Sequence, residues 1–259
     1  MQQHDDAQPG SDEVVHVELD DGIATITLDS QRNRNALSRQ LLTELHAALD
    51  QAEEADARAI VLRHEGPAFC AGADLKERRT GPPDSEPFVR VLQRLMDTAA
   101  PTIAVIDGAV RAGGIGLMAA CDLVVVNSAT TFALTEVRIG VAAAIISVPI
   151  LRRVPPGKIA AAMLTGEQFD AEEARSMGLV THVSDDTQAV VSTLCAGILK
   201  GAPQAVTATK ELLHSVPGLE RDEAFESMRL LSEEFFSSPD AAEGMQAFAE
   251  KREPIWGQA

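Results

Sequence analysis

The chain has 259 residues, enough for one domain with a sizeable core. Apolar residues make up 45% but Phe, Trp and Tyr only 3%, so the interior must be built from Ala, Leu, Val and Ile, and an aromatic platform for stacking bases is excluded. Lys and Arg number 22 against 39 Asp and Glu, and the formal net charge of -17 repels phosphate polymers, which excludes nucleic acid as the principal partner. A small nucleotide-bearing molecule held by backbone donors and a few cationic side chains stays compatible.

Residues 1–12 are polar and acidic, with neither a basic nor an apolar stretch, so they read as a flexible tail and not as a secretion signal. Val14–Asp20 and Ile23–Asp29 are rich in β-formers and flank Asp21-Gly22, a dipeptide suited to the positive φ angles of a tight hairpin. The next segment, to Ala52, predicts a helix capped by Ser38, with Leu41, Leu42, Leu45 and Leu49 on one face. Ala59–Arg63 reads as a buried strand, followed by a polar, proline-rich loop at 79–87 and a helix near Glu86–Thr98. Thr102–Val110 reads as one strand-like run, and the paired glycines after it lead into a buried helix. Strands are expected at 123–127 and 130–134. A loop and a small-residue helix follow, then a helix at Ala171–Met177 stopped by Gly178, and an edge strand at 179–183. Helices over 187–199, 203–213, 219–236 and 239–250 complete the chain.

Cys70, Cys121 and Cys195 are odd in number and lack metal-ligand spacing, so reduced cysteines and a cytoplasmic location are expected. His182 and His214 show no metal pattern, and His64 reads as exposed or structurally hydrogen-bonded. Met96 and Met118 read as packing residues. No metal, no tightly bound cofactor and no membrane span are expected.

Two glycine-bearing segments carry the chemistry. In Phe69–Glu77, the small residues Ala71, Gly72 and Ala73 let a ligand approach the main chain, and Ala73 is able to offer its N–H. In Gly108–Gly116, the N–H groups near the helix start have no intrahelical acceptor and suit an anion or a polarised carbonyl, although such turns also arise for structural reasons. The spacing matches neither the dinucleotide fingerprint nor a Walker A loop. Glu136 ends a β-rich stretch beside a glycine turn, where a carboxylate either projects from a fixed frame or faces solvent.

SQRNRNALS at 30–38, FCAGADLKE at 69–77, GAVRAGGIGLMAACDLVV at 108–125, FALTEVRIGV at 132–141 and FAEKREPIW at 248–256 resemble, in order and spacing, the crotonase or enoyl-CoA hydratase/isomerase family. The resemblance implies an α/β fold with a ββα spiral core over 13–190, and a helical C-terminal and oligomerisation region over 191–259. It further implies an acyl-CoA thioester as partner, with coenzyme A as part of the substrate, and a homotrimer or homohexamer. The backbone amides of Ala73 and Gly113 fall at the oxyanion-binding positions and Glu136 at the acid/base position. Arg34, Ala71, Asp74, Leu75 and Gly114 fall where relatives contact coenzyme A. For Asp74, like charge argues against a phosphate contact and for a turn-stabilising role. Lys251 and Arg252 are either phosphate contacts or a solvated helix end.

One departure matters. Enoyl-CoA hydratases of this family carry two carboxylates, and alignment puts Gly116 at the first of them. One carboxylate is sufficient to move a proton between C4 and C2, whereas hydration must also deliver water to C3. Closeness to hydratase-like members places enoyl-CoA hydratase first, with Δ3,Δ2-enoyl-CoA isomerase and a non-catalytic acyl-CoA-binding protein as alternatives.

Overall fold

The computed structural model describes residues 13–77 and 84–256. The expected tail at 1–12 and the greater part of the expected loop at 79–87 lie outside the described residues. β1 (Val15–Asp20) pairs antiparallel with β2 (Ile23–Leu28), and Asp20 faces Ile23 across a turn in which Asp21 and Gly22 take φ of 45° and 78°. Alternate residues Ala24, Ile26 and Leu28 point inward and are fully buried. Helix α1 (Arg39–Glu54) starts at Ser38, whose side chain accepts the Leu41 N–H at 3.2 Å, and it buries the leucine face read from its spacing.

Beyond α1 the chain repeats a strand-strand-helix unit three times. The first comprises β3 (Ala59–His64), β4 (Ala68–Cys70) and α2 (Glu86–Asp97), the second β5 (Thr102–Ile106), β6 (Ala109–Arg111) and α3 (Gly113–Ala119), and the third β7 (Leu123–Val126), β8 (Thr131–Ala133) and α4 (Ala144–Arg153). In each unit the first strand joins a six-stranded sheet and the second a four-stranded sheet. The larger sheet runs β1-β2-β3-β5-β7-β10 and the smaller β4-β6-β8-β9, where β9 is Gln168–Asp170 and β10 is His182–Val183.

The run 102–110, expected as one strand, is therefore broken at Asp107-Gly108 and divided between the sheets. The break has a local cause. The Asp107 N–H donates to His64 Nε2 at 3.1 Å and the Ala109 N–H to Pro67 O at 3.0 Å, and a Cβ on Gly108 would lie 2.6 Å from Pro67 O. Only a glycine lets the chain cross so close to the preceding unit.

Three elements were not anticipated: β4, α5 (Pro156–Thr165) and β9. A three-residue strand is too short to leave a period, and α5 buries only Ile159 and Ala162. Of the expected edge strand at 179–183, only His182 and Val183 pair with β7; Leu179 and Val180 leave the ladder and fill the core. Helix α6 (Ala171–Met177) ends at Gly178 with φ of 90°, as read.

The helical end begins with α7 (Thr187–Lys200), which lays Val191 and Cys195 on Val61, Ile103, Val105 and Val125 of the larger sheet. Helix α8 (Pro203–Ser215) is anchored by Lys210, only 5% exposed, whose ammonium donates to Asp122 at 3.0 Å and to the carbonyls of Leu95 and Ala100. His214 meets the other Asp122 oxygen at 3.0 Å. Helices α9 (Arg221–Phe236) and α10 (Pro239–Glu250) follow, and Trp256 donates from its indole back to Lys200 O at 2.9 Å. Among the described residues, no single helix is long and apolar enough to cross a membrane.

Candidate active site

Strands β4, β6 and β8 run parallel and adjacent, so the chain leaves all three at one edge of the smaller sheet. At about 4.8 Å per neighbouring strand, the exits span roughly 10 Å. Residues 71–73 follow β4, residues 112–113 follow β6, and residues 134–136 follow β8. The topology thus gathers three segments separated by tens of residues in sequence, at the carboxyl ends of parallel strands where ligands commonly bind.

The first two segments are packed backbone to backbone. A Cβ at Gly113 would meet Leu37 Cδ1 at 2.6 Å and lie 3.7 Å from Gly72 Cα, and one at Gly114 would lie 2.7 Å from Cys70 Cβ. The glycines of the second segment are thus required by close approach, and Gly114 is buried behind the site. Segment 30–38 closes the near side: the Leu37 N–H donates to Gly72 O at 2.8 Å, the Ala71 N–H to Arg34 O at 3.0 Å, and Leu37 bridges Ala73 in parallel. Burial pushes the Cys70 thiol up to about 12, so this cysteine beside the glycines is a packing group and not a nucleophile.

The Ala73 and Gly113 amides donate to no acceptor among the described residues, and both residues are half-buried. The residue that precedes the second amide, Ala112, has φ of 47° and ψ of -116°. A left-handed alanine costs about 1–3 kcal/mol and persists only where its surroundings fix it. Here the Ala112 N–H donates to Ala133 O at 3.0 Å, and its carbonyl accepts from Ile115 at 2.9 Å. An alanine letter carries no sign of this conformation, and sequence reasoning missed it.

Glu136 opens a short 3-10 turn, Glu136–Ile139, directly after β8. The Val141 N–H donates to Glu136 O at 3.1 Å, Gly140 takes φ of 77°, and Arg138 Nε donates to Thr165 O at 3.0 Å, so the turn is held from both sides. The carboxylate is half-buried, and its Oε2 atom is buried with no partner among the described residues. Burial raises its pKa above the ordinary carboxylate value, with its own backbone amide pulling weakly the other way. A desolvated carboxylate with one oxygen unpartnered is a stronger base than one in water, and acid/base groups take this form.

Gly116 faces Ile146 of α4. A Cβ there would lie 2.3 Å from Ile146 Cγ2, 2.6 Å from its Cβ and 3.2 Å from its Cα. The position where the resemblance expects a carboxylate is thus closed by a neighbouring helix as well as lacking the side chain.

The remaining expected residues surround this edge. Arg34 has φ of 57° and an exposed side chain. Asp74 binds the Lys76 N–H at 2.9 Å and the Asn33 amide at 3.2 Å; partial burial raises its pKa, but these donors outweigh it and hold the group below its ordinary value. That is the geometry of a turn-stabilising aspartate. Leu75 is 57% exposed. Sequence reasoning overlooked Asn35, fully buried with φ of 53°. It accepts the Ser30 N–H at 2.6 Å and donates to Glu65 O and Ala68 O, tying segment 30–38 to the start of β4.

His64 lies 8% exposed against the Phe69 ring edge, so it is a hydrogen-bonded core residue. Arg252 pairs with Glu243 and Glu250, holding Glu243 at about 2. Ala142 and Ala144 are exposed and Ala143 half-buried, so this run is not packed under another helix of the chain. Among the described residues, no group of three or more His, Cys, Asp or Glu side chains is placed to hold a metal ion.

Two free amides and one desolvated carboxylate at a common edge are the parts of a proton-transfer site for a carbonyl compound. Residues 18–259 match the enoyl-CoA hydratase/isomerase family profile, and the chain belongs to that family. It is 33% identical to a probable enoyl-CoA hydratase of Bacillus subtilis, over 93% of this chain and 97% of that one. It is 29% identical to an enoyl-CoA isomerase/hydratase of Mycosarcoma maydis, over 91% and 92%. The crystal structure of an enoyl-CoA hydratase from Mycobacterium smegmatis superposes with a TM-score of 0.88 at 30% identity, covering 94% of this chain and 98% of that one. The fold is therefore that of the crotonase superfamily, a ββα spiral followed by a helical C-terminal region.

Proposed function

We propose that the protein shifts the double bond of an enoyl-CoA thioester, with Glu136 as the single proton carrier and the Ala73 and Gly113 amides gripping the thioester oxygen. The family acts on acyl-CoA thioesters, and coenzyme A enters here as part of the substrate. The observation that carries the choice of reaction is the contact of Gly116 with Ile146, which leaves no room for a second carboxylate.

In this reading the ionised Glu136 removes a proton from C2 of a 3-enoyl thioester. The electron pair of that C–H bond moves onto the thioester oxygen, giving a dienolate, while the two amides stabilise the charge that develops there. Collapse of the dienolate takes the same proton at C4, so the double bond moves from C3–C4 to C2–C3 and nothing is gained or lost. Each oxyanion donor is worth roughly 2.7–4 kcal/mol in sites of this type. Ala71, Leu75 and the exposed Arg34 line the approach that the coenzyme A arm takes, Asp74 shapes the turn, and Gly114, buried behind the site, makes no contact with the arm.

A second reading, hydration of a 2-enoyl thioester to the 3-hydroxyacyl product, is supported by the names of the relatives. In it Glu136 alone orients water and returns the proton. The two separate in oxygen-18 water: isomerisation converts a 3-enoyl-CoA to the 2-enoyl product without label, and hydration puts solvent oxygen on C3. Tight coenzyme A binding without product from any thioester would overturn both and leave an acyl-CoA-binding protein.

The outer surface supports a homotrimer or homohexamer in this proposal. Phe225, Phe236 and Phe248 of α9 and α10 are 72%, 72% and 87% exposed, and these are large apolar side chains that a neighbouring subunit would cover. Sedimentation measurements at assay concentration test it.

A further inference from the structure

The two functional segments after β6 and β8 are joined by a short ladder. These strands share only the pairs Val110 with Phe132 and Arg111 with Ala133, extended by the Ala112 N–H to Ala133 O. One side chain crosses this junction. Arg111 Nη1 donates to Val110 O at 2.9 Å and Thr131 O at 2.6 Å, and its Nη2 to Thr131 Oγ1 at 3.0 Å and Gln168 Oε1 at 3.1 Å. One guanidinium thereby spans β6, β8 and β9.

All four acceptors are neutral, and among the described residues no carboxylate pairs with this half-buried cation. Burial pulls its pKa down, so the charge is kept at a cost. An aliphatic side chain would pack there without that cost, but it would not bind a carbonyl, a hydroxyl and an amide on three strands. The fork geometry of arginine supplies directional bonds across a ladder too short to be stiff alone.

We propose that Arg111 is a positioning residue that fixes the Gly113 amide, one residue beyond the left-handed Ala112, relative to Glu136, three residues beyond the end of β8. The inference rests on the roles given to residues 73, 113 and 136 above. It places strain and restraint together: Ala112 holds its conformation through Ala133, and Arg111 clamps the strand that carries Ala133.

The test compares Arg111→Lys, Arg111→Ala and the unaltered protein. Misplacement of reacting groups by about 1 Å costs on the order of 10²-fold in rate. We expect kcat to fall by about tenfold to 10²-fold in both variants with KM and coenzyme A affinity unchanged, and free guanidinium to restore part of kcat to Arg111→Ala but not to Arg111→Lys. Hydrogen exchange followed by mass spectrometry should rise over 109–118 and 131–141 and stay level over β2. A kcat that changes only with the folded fraction, with no guanidinium rescue, would overturn the role. So would unchanged exchange over 131–141. If the unaltered protein turned over no thioester, the proposed function would fail, and the exchange comparison alone would still decide whether Arg111 links the two segments.

Discussion

Placing a methyl group on residue 116 tests how firmly α4 closes the second-carboxylate position. The added carbon would sit 2.3 Å from Ile146 Cγ2 and 3.2 Å from Ile146 Cα, so both the side chain and the α4 backbone must move. Overpacking of this kind costs typically about 1–3 kcal/mol. For a protein of this size, each kcal/mol lowers the midpoint by roughly 2–4 °C, so Gly116→Ala should melt about 2–12 °C lower. Ile146 is 4% exposed, and Ile146→Ala should by itself cost about 2–5 kcal/mol through the cavity it leaves. The double variant refills part of that cavity and should lose less than the sum of the single losses, with a coupling of about 0.5–3 kcal/mol. Thermal and urea unfolding at fixed protein concentration, with two-state behaviour checked, measure all four species. Additivity within about 0.5 kcal/mol, or an unshifted Gly116→Ala midpoint, would refute the closed position and with it the argument for single-carboxylate chemistry.

Glu136→Gln should abolish turnover while leaving coenzyme A binding intact. Because burial raises the folded-state pKa of Glu136, the folded chain holds its proton more tightly than the unfolded one; stability from this group is fully present below the ordinary carboxylate pKa and is lost as pH rises through the raised value. Glu136→Gln should therefore melt at or above the unaltered protein at neutral pH, and the acidic limb of the rate profile should lie above the ordinary carboxylate range. His64 works in the other direction. Its burial lowers the pKa from 6.5, the unfolded chain takes the proton first, and stability present above about 6.5 is lost as pH falls through the depressed value, which urea midpoints across pH will record. Lys210→Met should cost about 3–5 kcal/mol, because it takes the ammonium from the buried Asp122, leaving it to Thr102 and His214, and from two carbonyls at the α8 anchor, yet leave kcat per folded molecule unchanged. Trp256, the only tryptophan in a chain without tyrosine, reports that loss by fluorescence as α7, α8 and the C-terminal segment separate.

Much of this architecture was legible where a residue type has one physical use. Asp21-Gly22 specified its hairpin, Ser38 its helix start and Gly178 its helix stop, because each supplies a φ angle or an acceptor that other residues supply poorly. The glycine segments and Glu136 pointed to one site, since close backbone approach and a carboxylate at a strand end both leave marks in composition. What stayed hidden depends on contacts between distant segments. The division of 102–110 between two sheets is set by Pro67 and His64, and β9 by its partner β8. The left-handed Ala112 and the clasp of Asn35 are indistinguishable in sequence from ordinary loop residues. That Gly116 lacks a carboxylate is visible in the letters, but its closure by Ile146, thirty residues on, is a fact of packing alone.

The central claim is tested most directly by a crystal structure with a non-reactive acyl-CoA analogue bound. The account predicts its carbonyl oxygen at about 2.7–3.1 Å from the nitrogens of both Ala73 and Gly113, with a Glu136 oxygen at roughly 3–3.5 Å from the carbons that exchange the proton. A carbonyl bound elsewhere, or a Glu136 side chain turned to solvent beside an occupied site, would contradict it.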